Sequence, residues 1–356
     1  MTAVETNAID ERLRAGELYF AAEAERIAAL CLELARAFVR GGRLLAVGGS
    51  AQDWSDARHV AVEFVHPVIV GKRALPAIAV ARDVLEQLQR DQDATIEFEP
   101  LRVTLGGEEW RFDVPSADPF VRQEIAETTY HLLWELVHVF FDHLGGSNAG
   151  AGASGFLYPF LEQREVDLDG VVADVRRSVL LKAGEVAKLR LRTLEDGRRA
   201  LAAAAAAMRT GGMTLVFGNG GSATDAEDLV ADLRGAPQGW PARRALDLTD
   251  NGAILTALAN DVGAEVLFQR QVIAHGAAGD VAIAISTSGG SANVILALEE
   301  ARRRGLVTVA FLGYDGGRIA AEALADHVVV APSQHIPRIQ EAQASAYHVL
   351  RELVEL

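Results

Sequence analysis

One cysteine, Cys31, serves a chain of 356 residues. A disulfide framework within the chain is excluded, and so is a zinc site built on cysteines. A reducing compartment suits that composition. Basic residues are in short supply as well: 34 Lys and Arg stand against 49 Asp and Glu, a formal net charge of −15. Such a field repels phosphate backbones, so no nucleic-acid partner is expected. No basic helix-turn-helix segment stands ahead of the domains to suggest a DNA-binding regulator. Long apolar runs are missing too. None approaches the roughly 20 residues of a membrane helix, so no membrane partner is expected. The opening MTAVETNAIDER is acidic and lacks the apolar stretch of a secretory signal. The expectation is a soluble cytoplasmic protein. What is present is 50% hydrophobic residues, ordinary for a globular core and too many for a disordered chain. The length suggests two domains or one large one.

The clearest boundary is GGSNAGAGASG at 145–155, small residues without periodicity and the composition of a flexible linker. We therefore expect a domain over 1–144, a linker over 145–160 and a domain over 161–356. In the second half, 166–210 reads as helical, with a break expected near Gly184 or Gly197. Apolar strands follow at 213–218, 244–248, 281–286, 307–313 and 328–332, separated by helices that include 223–234, 291–304 and 338–356. Short apolar runs alternating with helices predict an α/β fold, a doubly wound parallel sheet covered on both faces. The first half starts alike, with a helix over 8–40, a strand over 43–49, a helix through 56–65 and a strand over 75–80. Then 94–115 reads as a β-hairpin about Gly106-Gly107, and a helix over 119–143 closes the half.

The halves are related. GGSAQDWSDARHVAVEF (48–64) parallels GGSATDAEDLVADL, if the first loop carries three extra residues. DVPSADPFVRQEIAETTYHLLWEL (113–136) parallels VVAPSQHIPRIQEAQASAYHVLREL (329–353), sharing PS, then QE, then YH. Asp56 to His131 is 75 residues and Asp225 to His348 is 123, so the first copy is 48 residues shorter. The shortened stretch corresponds to the region around STSGG in the second copy.

That region is the first chemical signal. Ser286-Thr287-Ser288-Gly289, followed by Gly290 and Ser291, sits between an apolar strand and a helix. One N-cap needs one hydroxyl, and here Ser286, Thr287, Ser288 and Ser291 offer four. Hydroxyls, backbone N–H groups and a helix N-terminus together make an anion cradle. Asn219-Gly220-Gly221-Ser222 is a second strand-to-helix turn of that kind, and two such loops at adjacent strand ends suggest a pocket at the carboxyl edge of the sheet.

Together GNGGSATDAEDL (218–229), TALANDVG (256–263), FQRQV (268–272), AISTSGGSANV (284–294) and RIQEAQASAYHVL (338–350) resemble the sugar isomerase (SIS) fold, and most of all its phosphoheptose isomerase branch. The likeness spans almost all of 166–356. The first half shares only its glycine loop, DARHVAVEF and the QE…YH helix. The resemblance implies two tandem SIS domains, the first truncated, and a phosphorylated sugar as ligand. It also implies a homo-oligomer, a dimer of fused pseudo-dimers being the simplest form. Phosphate would be bound by Asn219, Ser222, Asp261, Ser286, Thr287, Ser288, Ser291 and Gln340.

The family isomerises sedoheptulose 7-phosphate through an enediol, with a glutamate base and a histidine partner, and some members hold zinc on a His, Glu, Gln and His set. Carried over, the family's helix His and Glu fall on His59 and Glu63 in the first half but on Asp228 and Asp232 in the second. The second half keeps the cradle that the first has lost. Candidate catalytic residues are Glu63, His131, Asp232 and His348, and candidate zinc ligands are His59, Glu63, Gln123 and His131. Plainer readings stand beside these: His59 and Glu63 as a solvated helix face, Asp228 and Asp232 as an acidic surface, His348 as a core residue, and Trp54 as either a pocket plug or an exposed loop aromatic. Two functions remain open, a phosphosugar aldose-ketose isomerase with a composite site at the interface of the halves, and a non-catalytic phosphosugar sensor or scaffold.

Overall fold

The computed structural model describes residues 3–67, 72–144 and 167–356. The expected linker at 145–160 lies outside the described residues. The first half runs α1 (Ala3–Val39), β1 (Leu44–Gly48), α2 (Ala51–Val65), β2 (Ala77–Ala81), α3 (Leu85–Leu88), β3 (Ala94–Phe98), β4 (Leu101–Leu105), β5 (Glu108–Phe112) and α4 (Pro119–His143). The second runs α5 (Leu168–Thr210), β6 (Thr214–Gly218), α6 (Gly221–Gly235), β7 (Ala245–Asp247), α7 (Gly252–Asp261), α8 (Leu267–His275), β8 (Val281–Ser286), α9 (Ala292–Arg303), β9 (Val307–Gly313), α10 (Gly317–Ala321), β10 (His327–Ala331) and α11 (Ile336–Glu355).

Each half carries one five-stranded sheet, ordered β2-β1-β3-β4-β5 and β7-β6-β8-β9-β10. The two orders match strand for strand. In the second sheet every pairing is parallel. In the first, β1 pairs in parallel with β2 and β3, but β3–β4 and β4–β5 are antiparallel. The expected single hairpin over 94–115 is thus three strands, with a second tight turn at Glu99-Pro100. That turn stands where β8 leads into the Ser286–Ser291 loop and crossover helix α9. An antiparallel neighbour needs only a short turn, whereas a parallel one needs a crossover. The first half thus keeps the strand order with 48 fewer residues between its two motifs, and has no counterpart of the Ser286–Ser291 loop.

The break expected in the long helix does not occur, and α5 runs unbroken from Leu168 to Thr210. Gly197 is there for proximity, since a Cβ on it would come within 2.8 Å of Val329 Cγ1 on β10. Gly184 faces open space and only weakens the helix. Packing of Val175, Val179, Leu194, Leu201 and Ala204 against both halves outweighs that cost.

Helices α4 and α11 lie in contact between the halves. Pro119 follows the Asp118 N-cap of α4, and Asp118 accepts from the Phe120 amide. Both helices are buried over most of their length, polar residues included: Glu124, His131, Gln340, Glu341, Gln343, Ser345, His348 and Arg351 all lie inside. Buried polar groups need partners, and those partners define the site. No helix among the described residues is long and apolar enough to cross a membrane.

Candidate active site at the interface of the halves

The cradle forms where β8 ends and α9 begins. Ser286 Oγ accepts from the Gly289 amide at 3.2 Å, and Ser288 Oγ from the Gly290 amide at 3.3 Å. Gly289 has φ +59°, and a Cβ there would overlap the Gly316 carbonyl, so only glycine closes this turn. Ser291 is the N-cap of α9, yet its side chain makes no cap hydrogen bond. Its hydroxyl and the Ala292 and Asn293 amides of a 12-residue helix are left to meet an anion, the Val294 amide being taken by Asn293 Oδ1. The neighbouring loop is tied on by a reciprocal amide pair: Asn219 Nδ2 donates to Asn293 Oδ1 at 3.0 Å, and Asn293 Nδ2 to Asn219 Oδ1 at 2.9 Å.

Two residues further on, Gly221 opens α6 against side chains of the other half. A Cβ on Gly221 would overlap Gln340 Nε2 and lie 3.1 Å from both Glu63 Oε1 and His59 Nε2. The cradle of the second half and the His59–Glu63 pair of the first half are therefore joined through one loop.

Four side chains from three helices meet there. His59 Nε2 is 3.2 Å from His131 Nε2, 3.3 Å from Gln340 Nε2 and 3.9 Å from Glu63 Oε1. His131 Nδ1 lies 3.0 Å from Glu341 Oε1, which also accepts from Arg338 at 2.5 Å. His59 Nδ1 lies 3.7 Å from Asp225 Oδ1. Burial, helped by neighbouring His131, holds His59 well below the ordinary imidazole value. Burial and the Arg338 guanidinium take His131 down to about 3. Burial pushes the Glu63 carboxyl up to about 8. Both imidazoles are thus neutral, and each keeps a lone pair.

That donor set fits a divalent ion. Two nitrogens bound tetrahedrally to zinc stand about 3.3 Å apart, given bonds of about 2.0–2.1 Å, close to the 3.2 Å between the two Nε2 atoms. Glu63 Oε2 and Gln340 Oε1 are buried without hydrogen-bond partners. The Gln340 oxygen and nitrogen assignment is interchangeable, so its amide can turn an oxygen toward the ion. Glu341 behind His131 fixes the ring as carboxylates fix metal-bound histidines.

The mirror position holds Asp228, Asp232 and His348. His348 Nε2 is 3.4 Å from Asp228 Oδ2 and 3.5 Å from Asp232 Oδ2, while its Nδ1 lies 3.0 Å from Glu124 Oε1. Burial disfavours charge on His348, but the facing carboxylates of Asp228, Asp232 and Glu124 raise it well above the ordinary imidazole value. Burial and neighbouring Asp228 push Asp232 up to about 6. Both aspartates and His348 are almost fully buried, so they form no surface.

The grouping of the sequence-predicted residues differs in one respect. Gln123 does not join His59, Glu63 and His131. Its Nε2 donates to Asp228 Oδ1 at 2.7 Å, and Gln340 of the other half stands in its place. Helices α4 and α11 each give their glutamine to one cluster and their histidine to the other. Ser222 is buried beside the Asn219 turn, Thr287 is half-buried within the cradle loop, and Asp261 is exposed at the end of α7, where Asn260 donates to it at 2.7 Å. Trp54 is a residue of α2, half-buried, with its ring over Gly48 at the end of β1. Sequence reading missed Glu124, Glu341 and Asp225. The repeated Gln-Glu pair of the two QE…YH helices was the signal for the first two.

The sequence profile of the SIS domain matches residues 185–313. The chain is similar to the phosphoheptose isomerase of Geobacter sp. (strain M21), 49% identical over 152 residues that cover 42% of this chain and 77% of that one. It is similar to the phosphoheptose isomerase of Aquifex aeolicus, 47% identical over 154 residues, 42% of this chain and 78% of that one. Among solved structures it resembles the C-terminal domain of glucosamine-fructose-6-phosphate aminotransferase from Francisella tularensis, with a TM-score of 0.60 at 10% identity, covering 99% of this chain and 95% of that one. At that identity the likeness speaks for the fold alone, and it extends over both halves.

Proposed function

The chain belongs to the phosphoheptose isomerase family of SIS-domain proteins, and from this premise we propose that it interconverts sedoheptulose 7-phosphate, or a related ketose phosphate, with its aldose at one composite site. The first half, 1–144, supplies His59, Glu63 and His131. The second, 161–356, supplies the cradle and Gln340. The observation that carries the reading is the position of Gly221, one loop away from the cradle and within a side chain's width of Glu63 and His59. One chain then completes one site, and the loss of the cradle from the first half and of the His–Glu pair from the second are complementary.

In this reading the sugar phosphate group lies on the Ser286–Ser291 loop at the N-terminus of α9, where local donors overcome the repulsive net charge of −15. The other end of the sugar reaches Glu63. Once ionised, which its raised value of about 8 places on the alkaline side of neutral, the Glu63 carboxylate takes the proton from C1, next to the carbonyl, to give an enediol, and returns it to C2. As the carbonyl oxygen gains a proton, the C1 hydroxyl loses one, so the proton passes from one oxygen to the other across the enediol, while His131, held by Glu341, positions that end of the site. His59, His131, Gln340 and Glu63 would hold a zinc-like ion, which when bound supplies polarisation of the carbonyl and stabilisation of the enediolate charge. The aspartate side, with both carboxylates turned to His348, lacks a cradle and is assigned no step.

The test is steady-state isomerisation of sedoheptulose 7-phosphate by two variants. Glu63→Gln should lower kcat by about 10²–10⁴-fold, the usual worth of a general base. Ser288→Ala with Ser291→Ala should chiefly raise KM. Full turnover by Glu63→Gln would sink the composite-site reading.

A further inference from the structure

The aspartate cluster on the mirror side has an internal organisation that its loss of the cradle does not explain. Three ligand-type atoms converge: His348 Nε2, Asp228 Oδ2 and Asp232 Oδ2, with the nitrogen 3.4 and 3.5 Å from the two oxygens. All three lie within 4.8 Å of one another. The ligand spacing of a tetrahedral zinc ion is about 3.3 Å. His348 Nε2 and Asp232 Oδ2 are buried and have no hydrogen-bond partner. Beyond the 3.4 and 3.5 Å contacts inside the cluster neither atom meets a partner, and both are aimed at one point.

The outward atoms of the same three side chains are, by contrast, all held. His348 Nδ1 faces Glu124 Oε1 at 3.0 Å, and Glu124 is itself fixed by Arg12 Nε at 2.9 Å. Asp228 Oδ1 accepts from Gln123 Nε2 at 2.7 Å and from Ser55 Oγ at 3.1 Å. Asp232 Oδ1 accepts from Gln52 Nε2 at 3.3 Å. Of the inward atoms, only Asp228 Oδ2 has a donor, the Tyr347 hydroxyl at 2.8 Å. Outer atoms anchored, with two of the three inner atoms lacking any donor or acceptor outside the cluster, is the arrangement of metal ligands oriented by surrounding hydrogen bonds, with Glu124–His348 as a carboxylate–histidine pair.

We propose that Asp228, Asp232 and His348 form a second divalent-metal site of the zinc class, distinct from the His59 cluster and with no cradle beside it. Its ligands come from α6 and α11 of the second half. Gln52, Ser55, Gln123 and Glu124, which orient them, come from the first half. A metal there fastens the two halves together. Two carboxylates and one imidazole make a harder donor set than the two imidazoles of the first cluster. The inference does not depend on the proposed isomerase activity.

The test counts metal on the full chain. Protein stripped with a chelator is titrated with Zn²⁺, bound metal is measured by elemental analysis, and Co²⁺ serves as a spectroscopic probe. The wild type should hold two equivalents. Asp232→Asn, nearly isosteric, should hold one. The double variant His59→Ala with His131→Ala should also hold one, with a tetrahedral Co²⁺ band that adding Asp232→Asn removes. A single wild-type equivalent that Asp232→Asn removes also supports the site and leaves the first cluster without metal. Overturning results are no bound metal, one equivalent lost in the His59–His131 variant and kept in Asp232→Asn, or two equivalents retained by Asp232→Asn. Should Asp232→Asn fail to fold, Gln123→Leu reads the same site. It should weaken one of the two binding events about 10–100-fold, and unchanged affinities would overturn the proposal.

Discussion

Glu341 Oε1 lies 3.0 Å from Nδ1 of His131, a residue 210 positions earlier and in the other half of the chain. The relationship is repeated in mirror image by Glu124 and His348, also at 3.0 Å. Each glutamate follows the repeat's glutamine by one residue, and each orients the other half's histidine. We therefore expect Glu341→Gln to act through His131 and not through the substrate. It should lower metal affinity about 10–100-fold, and added Zn²⁺ should restore part of the lost kcat with little change in KM. A loss of kcat that no metal concentration rescues would show that Glu341 does more than position His131.

This mutual exchange also marks the limit of what the sequence conveyed. The strand and helix segments, the glycine-bearing loop at Ser286–Ser291 and the QE…YH repeat were legible, because glycine turns, apolar strands and helical spacing are local signals. The swap of Gln123 for Gln340 was not. Spacing along one helix says which side chains share a face, but not which face of which neighbour that helix meets. Two similar helices lying side by side can pair within a half or across halves, and only packing decides. Burial was lost for the same reason. The plainer of the two readings of Asp228 and Asp232 was an acidic surface, yet α6 is covered by α2 and α11, and both carboxylates are inside.

Gly221 separates the cost of folding from the cost of catalysis. Its Cβ would strike the amide end of Gln340, a flexible side chain, and crowd Glu63 and His59. Gln340 can swing aside, so Gly221→Ala should melt within a few degrees of the wild type. The displaced donor set, however, no longer meets the substrate correctly, and a 1 Å misplacement costs about 10²-fold in rate. Calorimetry together with kcat decides the matter. A variant that keeps full activity would remove Gly221 from the site.

Gly184 and Gly197, both inside α5, predict opposite outcomes from the same substitution. Gly184 is exposed with nothing within 4 Å of a new Cβ, so Gly184→Ala should stabilise the protein by about 0.5–1 kcal/mol through helix propensity. Gly197 would drive a methyl to within 2.8 Å of Val329 Cγ1, so Gly197→Ala should destabilise by about 1–3 kcal/mol through overpacking. Denaturant midpoints of the two variants measure the signs. Two changes of the same sign would mean that the contact of α5 with β10 does not set the role of Gly197.

Asp93 supplies a pH dependence whose direction follows from its partners. Its carboxylate accepts from the Arg43 amide at 3.0 Å, from Arg43 Nη2 at 2.5 Å and Nε at 3.2 Å, and from the Arg90 amide at 3.0 Å, joining the loop before β3 to the residue ahead of β1. Burial works against the charge, but the Arg43 guanidinium and the backbone donors prevail and lower the carboxyl below its ordinary value. The folded state therefore releases this proton more readily than the unfolded chain, whose aspartate titrates at about 3.9. The stabilisation is complete above that value and is lost as the pH falls through the lower folded value. Asp93→Asn should thus cost about 1–3 kcal/mol at pH 7, where charge-assisted bonds are removed. The difference from the wild type should narrow below about pH 4, as the wild-type carboxyl takes up its proton. Urea unfolding of both proteins from pH 7 down to pH 3 measures that difference. A gap that widens on acidification would mean that the folded state holds the Asp93 proton more tightly than the unfolded chain, the reverse of what four converging N–H donors produce.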